Sequence, residues 1–149
     1  MMRSSTTEPV ASALSSRLRT VVTRLARRLR QQGESAASPT QLAALATIAR
    51  DGPLTLGALA ATEQVRPPTI TAAVGRLEEQ GLVRRRIDRR DRRVARVEIT
   101  SRGQRLLAES RSRKTAYLER QLAALSADER ATLARAAAIL ERVLEKESS

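Results

Sequence analysis

The stretch RPPTITAAVGRLEEQGLVRRRIDRRDRRVARVEITSRG, residues 66–103, changes its hydrophobic period once, and that change decides the fold. Up to Gly81 the apolar residues Ile70, Ala73, Val74 and Leu77 recur three and four apart, which is one face of a helix. Pro67-Pro68 suits the first turn of that helix, where backbone amides have no intrahelical acceptor. Gly81 is the expected stop. Beyond it the period drops to two. Leu82–Ile87 and Val94–Ile99 are β-prone runs, with Val94 and Arg96 on one side and Ala95, Val97 and Ile99 on the other. Asp88–Arg93 joins them, so the pattern predicts a hairpin with an arginine-rich tip.

Upstream of this stretch, Ser38-Pro-Thr-Gln41 reads as a helix start, with Ser38 as N-cap, Pro39 at the first position and Gln41 closing a capping box. Leu42, Leu45, Ile48 and Ala49 mark its buried face, and Asp51-Gly-Pro53 ends it. Leu54 and Thr55 suggest a minimal strand, with Thr55 capping a short third helix through Leu56, Leu59 and Ala60. A turn over 62–66 leads back to the opening stretch.

The flanks are helical. From about Pro9 to Gln32, Val10, Leu14, Leu18, Val21, Leu25 and Leu29 form one apolar stripe, ended by Gly33 and the small polar residues Ser35 to Ser38. Thr100 caps a long helix starting near Arg102, with Leu106, Leu107, Tyr117, Leu118 and Leu122 as apolar points. Ser126-Ala-Asp-Glu129 is a capping box opening a last helix with Leu133, Ala136, Ala137, Leu140, Val143 and Leu144. The fold class expected is mainly α with a small β-hairpin wing. Residues 1–149 form one module: a winged helix-turn-helix lobe over 38–100, and a helical dimerisation lobe over 9–32 and 101–147. The first and last helices are longer than a small wing domain needs to cover itself. Their unspent apolar faces call for a second surface, and a two-fold partner is the commonest supplier.

Composition agrees. The 149 residues are 41% hydrophobic, dominated by Ala, Leu and Val, with one Tyr and neither Phe nor Trp, which suits packed helices better than strands. The formal net charge is +12, an excess that draws polyanions by counterion release. Between Leu82 and Arg96 stand eight arginines (84, 85, 86, 89, 90, 92, 93 and 96) against Asp88 and Asp91. With no Cys and no His, thiol chemistry, disulfides, Cys/His zinc sites and His-dependent catalysis are excluded. No Gly-rich phosphate loop, nucleophile elbow or metal-ligand spacing occurs, so neither an enzyme nor a cofactor or metal site is expected. No apolar run reaches the roughly 18 residues that span a bilayer, and Met1 to Pro9 lacks a signal-peptide core. A cytoplasmic protein without membrane association is the expectation.

Two short helices, a turn, a third helix and a basic hairpin have a direct use on B-DNA. The second helix of the pair fits the major groove with its N-terminal residues near base edges. Arg66, Pro67, Pro68, Thr69, Thr71, Ala72, Gly75 and Arg76 occupy that position. The Thr hydroxyls offer phosphate or base contacts, Arg76 a phosphate or guanine contact, and Ala72 and Gly75 allow close approach. Arg86, Arg89, Arg90, Arg92 and Arg93, with Asp91, would reach the adjoining minor groove, whose narrowed stretches attract arginine. Ser38 and Thr40 open another helix N-terminus suited to a phosphate.

At these residues the chain resembles the MarR (multiple antibiotic resistance regulator) family. The resemblance rests on Leu59-Ala60, Val65, Pro68-Thr-Ile-Thr71, Arg76-Leu-Glu78, Gly81-Leu-Val83, Arg85-Arg86, Asp88, Asp91-Arg-Arg93 and Ile99-Thr-Ser-Arg-Gly103. It implies that Asp91 orients Arg93 for the minor groove, with Arg89, Arg90 and Arg92 on adjacent phosphates. It further implies a homodimer on a palindromic operator, usually a repressor, released when a small aromatic or anionic effector binds between the lobes. Arg66 replaces the usual small polar N-cap of the reading helix, and Ala72 and Gly75 fall where many relatives carry larger polar residues. The competing expectation is a constitutive DNA-architectural or RNA-binding protein without ligand control.

Overall fold

The structure, a computed structural model, describes residues 7–33 and 37–147. The polar start before Thr7, Ser35 and Ala36, and the final Ser-Ser lie outside the described residues, as do the side chains of residues 7–9. The chain divides into two compact units, residues 1–114 and 115–149.

In the first unit the order is α1 (Thr7–Gln32), α2 (Pro39–Asp51), α3 (Leu56–Glu63), α4 (Pro67–Glu79), β1 (Val83–Ile87), β2 (Ala95–Ile99) and the start of α5 (Ser101–Ala123). Helix α1 begins two residues before Pro9, because proline is tolerated anywhere in a first turn. The capping box on α2 forms as the sequence predicts: Ser38 Oγ accepts from the Gln41 amide at 3.2 Å, and Gln41 Oε1 accepts from the Ser38 amide at 3.3 Å. Thr55 Oγ1 accepts from the Ala58 amide at 3.1 Å and starts α3. Gln64 then takes a left-handed φ of 53°, turning the chain into α4.

Leu45, Ile48, Leu59, Ile70, Val74, Leu77, Leu82 and Val97 form the centre of one core, each less than 2% exposed. Shortening one of these to alanine typically costs about 2–5 kcal/mol through lost transfer energy and a residual cavity. On α2 the inward face differs from the sequence reading. Ala44 is fully buried while Ala49 is exposed and Leu42 only half-buried. Both alanines fit the apolar period, and only packing against α3 and α4 separates them.

The wing is an antiparallel pair with Val83 opposite Ile99, Arg84 opposite Glu98, Arg85 opposite Val97 and Arg86 opposite Arg96. Leu54 adds the minimal third strand, exchanging both backbone bonds with Val97 at 3.1 and 2.8 Å. The wing is therefore rooted in the segment between α2 and α3.

The joint between α4, β1 and α5 is tight. Gly81 sits at φ 71° just past the end of α4, with its amide bonded to Glu78 O and the Leu82 amide to Leu77 O, both at 2.9 Å. This is the Schellman stop that glycine allows. Thr100 then binds that turn twice, its hydroxyl donating to Gly81 O at 2.6 Å and its amide to Leu82 O at 3.0 Å. The same hydroxyl accepts from the Gly103 amide at 3.1 Å and caps α5, which starts at Ser101. A Cβ on residue 103 would stand 2.2 Å from Leu82 O, so only glycine fits there.

The second unit holds the end of α5 and α6 (Ala127–Glu147), opened by the expected box. Ser126 Oγ accepts from the Glu129 amide at 3.1 Å and Glu129 Oε2 from the Ser126 amide at 2.8 Å. In this unit Leu133, Ile139, Leu140 and Val143 are exposed. On α1, within the first unit, Val10, Leu14, Val21 and Leu25 are exposed as well.

Candidate nucleic-acid interface

Helix α4 presents its first turn to solvent. Arg66, Pro67, Pro68, Thr69, Thr71, Ala72 and Arg76 are exposed and Gly75 half-exposed, while Ile70, Ala73, Val74 and Leu77 hold the opposite face in the core. Arg66 has N-cap backbone geometry but makes no side-chain capping bond, and none is needed: Pro67 and Pro68 carry no amide hydrogen, and the Thr69 amide donates to Arg66 O at 3.0 Å. Thr71 Oγ1 donates to Pro67 O at 2.9 Å, which commits its proton and leaves it as an acceptor. At α2, Ser38 and Thr40 are exposed. The Ser38 hydroxyl oxygen is used as a cap, and its proton remains available to donate.

The wing sorts its arginines into two groups. In the stem, Glu98 takes both Arg84 and Arg86, the latter at 2.8 Å. Arg85 pairs with Glu78 of α4 at 2.5 Å, and Arg96 with Asp88 at 3.0 Å. At the tip, Arg89, Arg90, Arg92 and Arg93 are exposed and their guanidinium groups meet no acid among the described residues. The hairpin thus carries a stem whose four arginines share three carboxylates and a tip of four open cations. Arg86 belongs to the first group, so its position in the site differs from that of the other four.

Two carboxylates shape the tip. Asp88 Oδ1 accepts from the Arg90 amide at 2.8 Å and Asp91 Oδ1 from the Arg93 amide at 3.0 Å. Asp91 bonds the Arg93 amide and not its guanidinium. It fixes the backbone from which Arg93 projects and leaves the side chain without an acid among the described residues. Asp88 is held below the ordinary carboxylate range, first by the Arg90 amide and then by Arg96. Both bonds favour the ionised form, so its contribution is complete above the usual carboxyl value and disappears as pH falls through the lowered one. The Arg90 amide and Arg96 Nε–H resonances should therefore shift together below about pH 4. Asp88→Asn should abolish that transition; its persistence in the variant would assign it elsewhere.

Sequence reasoning missed Glu98 and Glu78, the residues that divide the arginines. Glu98 lies directly across from Arg84, a signal that becomes readable once strand register is known. It also gave no residues for a cavity of about 600 Å³ between α1, α2 and the start of α5. Leu42, Ala46 and Leu107 line its apolar part, and Arg27, Arg30, Arg111 and Lys114 supply cations, with no acid among the described lining residues. Beside it Ser110 Oγ donates to Gly33 O at 3.3 Å, joining the end of α1 to α5. Among the described residues no cluster of His, Cys, Asp or Glu could hold a metal ion, and no helix is long and apolar enough to cross a membrane.

Residues 37–95 match the model of the MarR family. An HTH-type transcriptional regulator from Mycobacterium leprae is 36% identical over 134 residues, covering 89% of this chain and 94% of that protein. A transcriptional regulator from Pseudomonas aeruginosa superposes with a TM-score of 0.79 at 37% identity, over 90% of this chain and 95% of that one. MepR from Staphylococcus aureus, solved bound to an oligodeoxyribonucleotide, shares the fold with a TM-score of 0.67 at 21% identity, over 89% of this chain and 96% of that one.

Proposed function

The chain belongs to the MarR family of DNA-binding winged helix-turn-helix transcriptional regulators, and from that premise we propose a homodimeric repressor that grips a palindromic operator and lets go when a small anion binds. The observation that carries the reading is the division of the wing: each stem arginine is paired with an acid, while Arg89, Arg90, Arg92 and Arg93 are held out with no acid to satisfy them among the described residues. Fixed backbone bonds from Asp88 and Asp91 keep that tip in shape before any DNA arrives. Little ordering entropy is then lost on binding. The helix from Pro67 supplies Thr69, Thr71 and Arg76 to the major groove, and Ser38 and Thr40 a phosphate contact.

Dimerisation is supported by the exposed apolar stripes of α1 and α6, which are too extensive for scattered surface residues. Two reading helices related by a two-fold axis select half-sites about one helical turn, roughly 10 base pairs, apart. Ligand control is supported by the cavity between α1, α2 and α5. Four cations around an apolar floor favour a compact anion, and such a ligand would bear on α2 and α5 at once, shifting the spacing of the reading helices.

Footprinting over the upstream region of the protein's own coding sequence tests this directly. Protection of one discrete palindrome by a dimeric species, abolished on adding a small carboxylate such as benzoate, is expected. Uniform coating of the DNA would point to an architectural protein instead, and protection indifferent to every carboxylate tried would make the regulator constitutive.

A further inference from the structure

Gly75 occupies the ninth position of the 13-residue α4, well inside the helix. Glycine there weakens a helix relative to alanine, because its backbone loses more freedom on folding. A fold keeps an interior glycine when a Cβ has no room, as at Gly103, or when φ is positive, as at Gly81. Neither applies at Gly75. Its φ lies outside the left-handed region, and nothing stands within 4 Å of where a Cβ would be. By its spacing from Pro68, Ala72 and Glu79, residue 75 lies on the side of α4 turned away from the buried Ile70, Ala73, Val74 and Leu77. Nothing within the chain accounts for the missing methyl group.

We propose that Gly75 is a specificity-determining position of the DNA interface, where the floor of the major groove, not the fold, demands glycine. The inference rests on the DNA-binding reading above and adds to it how deeply α4 is seated. Depth cannot adjust freely. The Arg85–Glu78 ion pair at 2.5 Å and the turn at Gly81 tie α4 to the wing, so a wing engaged on the backbone fixes how far the helix enters. A methyl group added at residue 75 then meets base edges instead of water. Binding to random sequence, which is held by phosphates, does not require that seating.

Two measurements on Gly75→Ala test this, made against the duplex that the wild-type protein enriches from a randomised pool and against a mixed-sequence duplex. The thermal midpoint should rise by about 3 °C. Affinity for the selected duplex should fall about tenfold, while affinity for the mixed duplex stays within about twofold. Gly75→Gln, a better helix former with a longer side chain, should be at least as stable as wild type and lose more discrimination. Unchanged affinity for the selected duplex, an equal loss on both duplexes, or a lowered midpoint would each overturn the inference. A wild-type protein that enriches no duplex is a different failure, which removes the DNA-binding reading and this inference with it.

Discussion

Replacing Arg89, Arg90, Arg92 and Arg93 together by alanine is expected to lower operator affinity about a thousandfold near physiological salt, at about 1 kcal/mol for each guanidinium removed. The dependence of log K on log salt should flatten by nearly 4, close to one unit for each phosphate released. Folding should be almost untouched, because the bonds that shape the tip run from Asp88 and Asp91 to backbone amides and use none of these four side chains. The informative comparison is Arg84→Ala in the stem. Arg84 shares Glu98 with Arg86, so its removal leaves that carboxylate still paired and takes away a guanidinium already held by an acid. A loss well under tenfold is expected for it. Fluorescence anisotropy at several salt concentrations reads both variants. If stem and tip arginines cost the same per residue, the sorting has no bearing on binding.

The second large effect is on stability. Gly103→Ala should cost about 3 kcal/mol or more, at the upper end of what overpacking does, because the obstacle is backbone. The new methyl group would stand 2.2 Å from Leu82 O and 2.7 Å from Ile99 Cγ1. Leu82 O cannot retreat without giving up the Thr100 amide, and Thr100 is what caps α5 and clasps Gly81. Urea unfolding should show a lower midpoint with an unchanged slope. A loss under about 1 kcal/mol would mean that α5 slides away from the turn without penalty. With the gain expected for Gly75→Ala, Gly75 and Gly103 then give opposite signs for one substitution.

What the sequence discloses depends on how local each cause is. The α4–wing segment is legible almost residue by residue, since Pro67-Pro68, Gly81 and the change of period act within a few positions of themselves. Both capping boxes are legible for the same reason. The start of α1 lies two residues ahead of the boundary that Pro9 suggests, because a first-turn proline is no obstacle to a helix. Ala44 and Ala49 cannot be ranked from sequence, as both satisfy the period and only neighbouring helices choose between them. The division of the arginines needs cross-strand register, and the cavity needs three separate helices side by side. Neither is written in any one window. Asp91 is intermediate: its spacing to Arg93 is visible, but whether it bonds the amide or the guanidinium is a matter of turn geometry.

The cations at the tip are all guanidinium groups, which hold their protons far beyond any physiological alkalinity. The chain has no imidazole, and the Arg90 amide and Arg96 keep Asp88 ionised to a lower pH than an ordinary carboxylate. The finger therefore holds no group of the imidazole class to switch its charge near neutrality. Its grip is tuned by the cations that compete for the duplex, and a cell that acidifies without changing its ionic content leaves the wing's hold where it was.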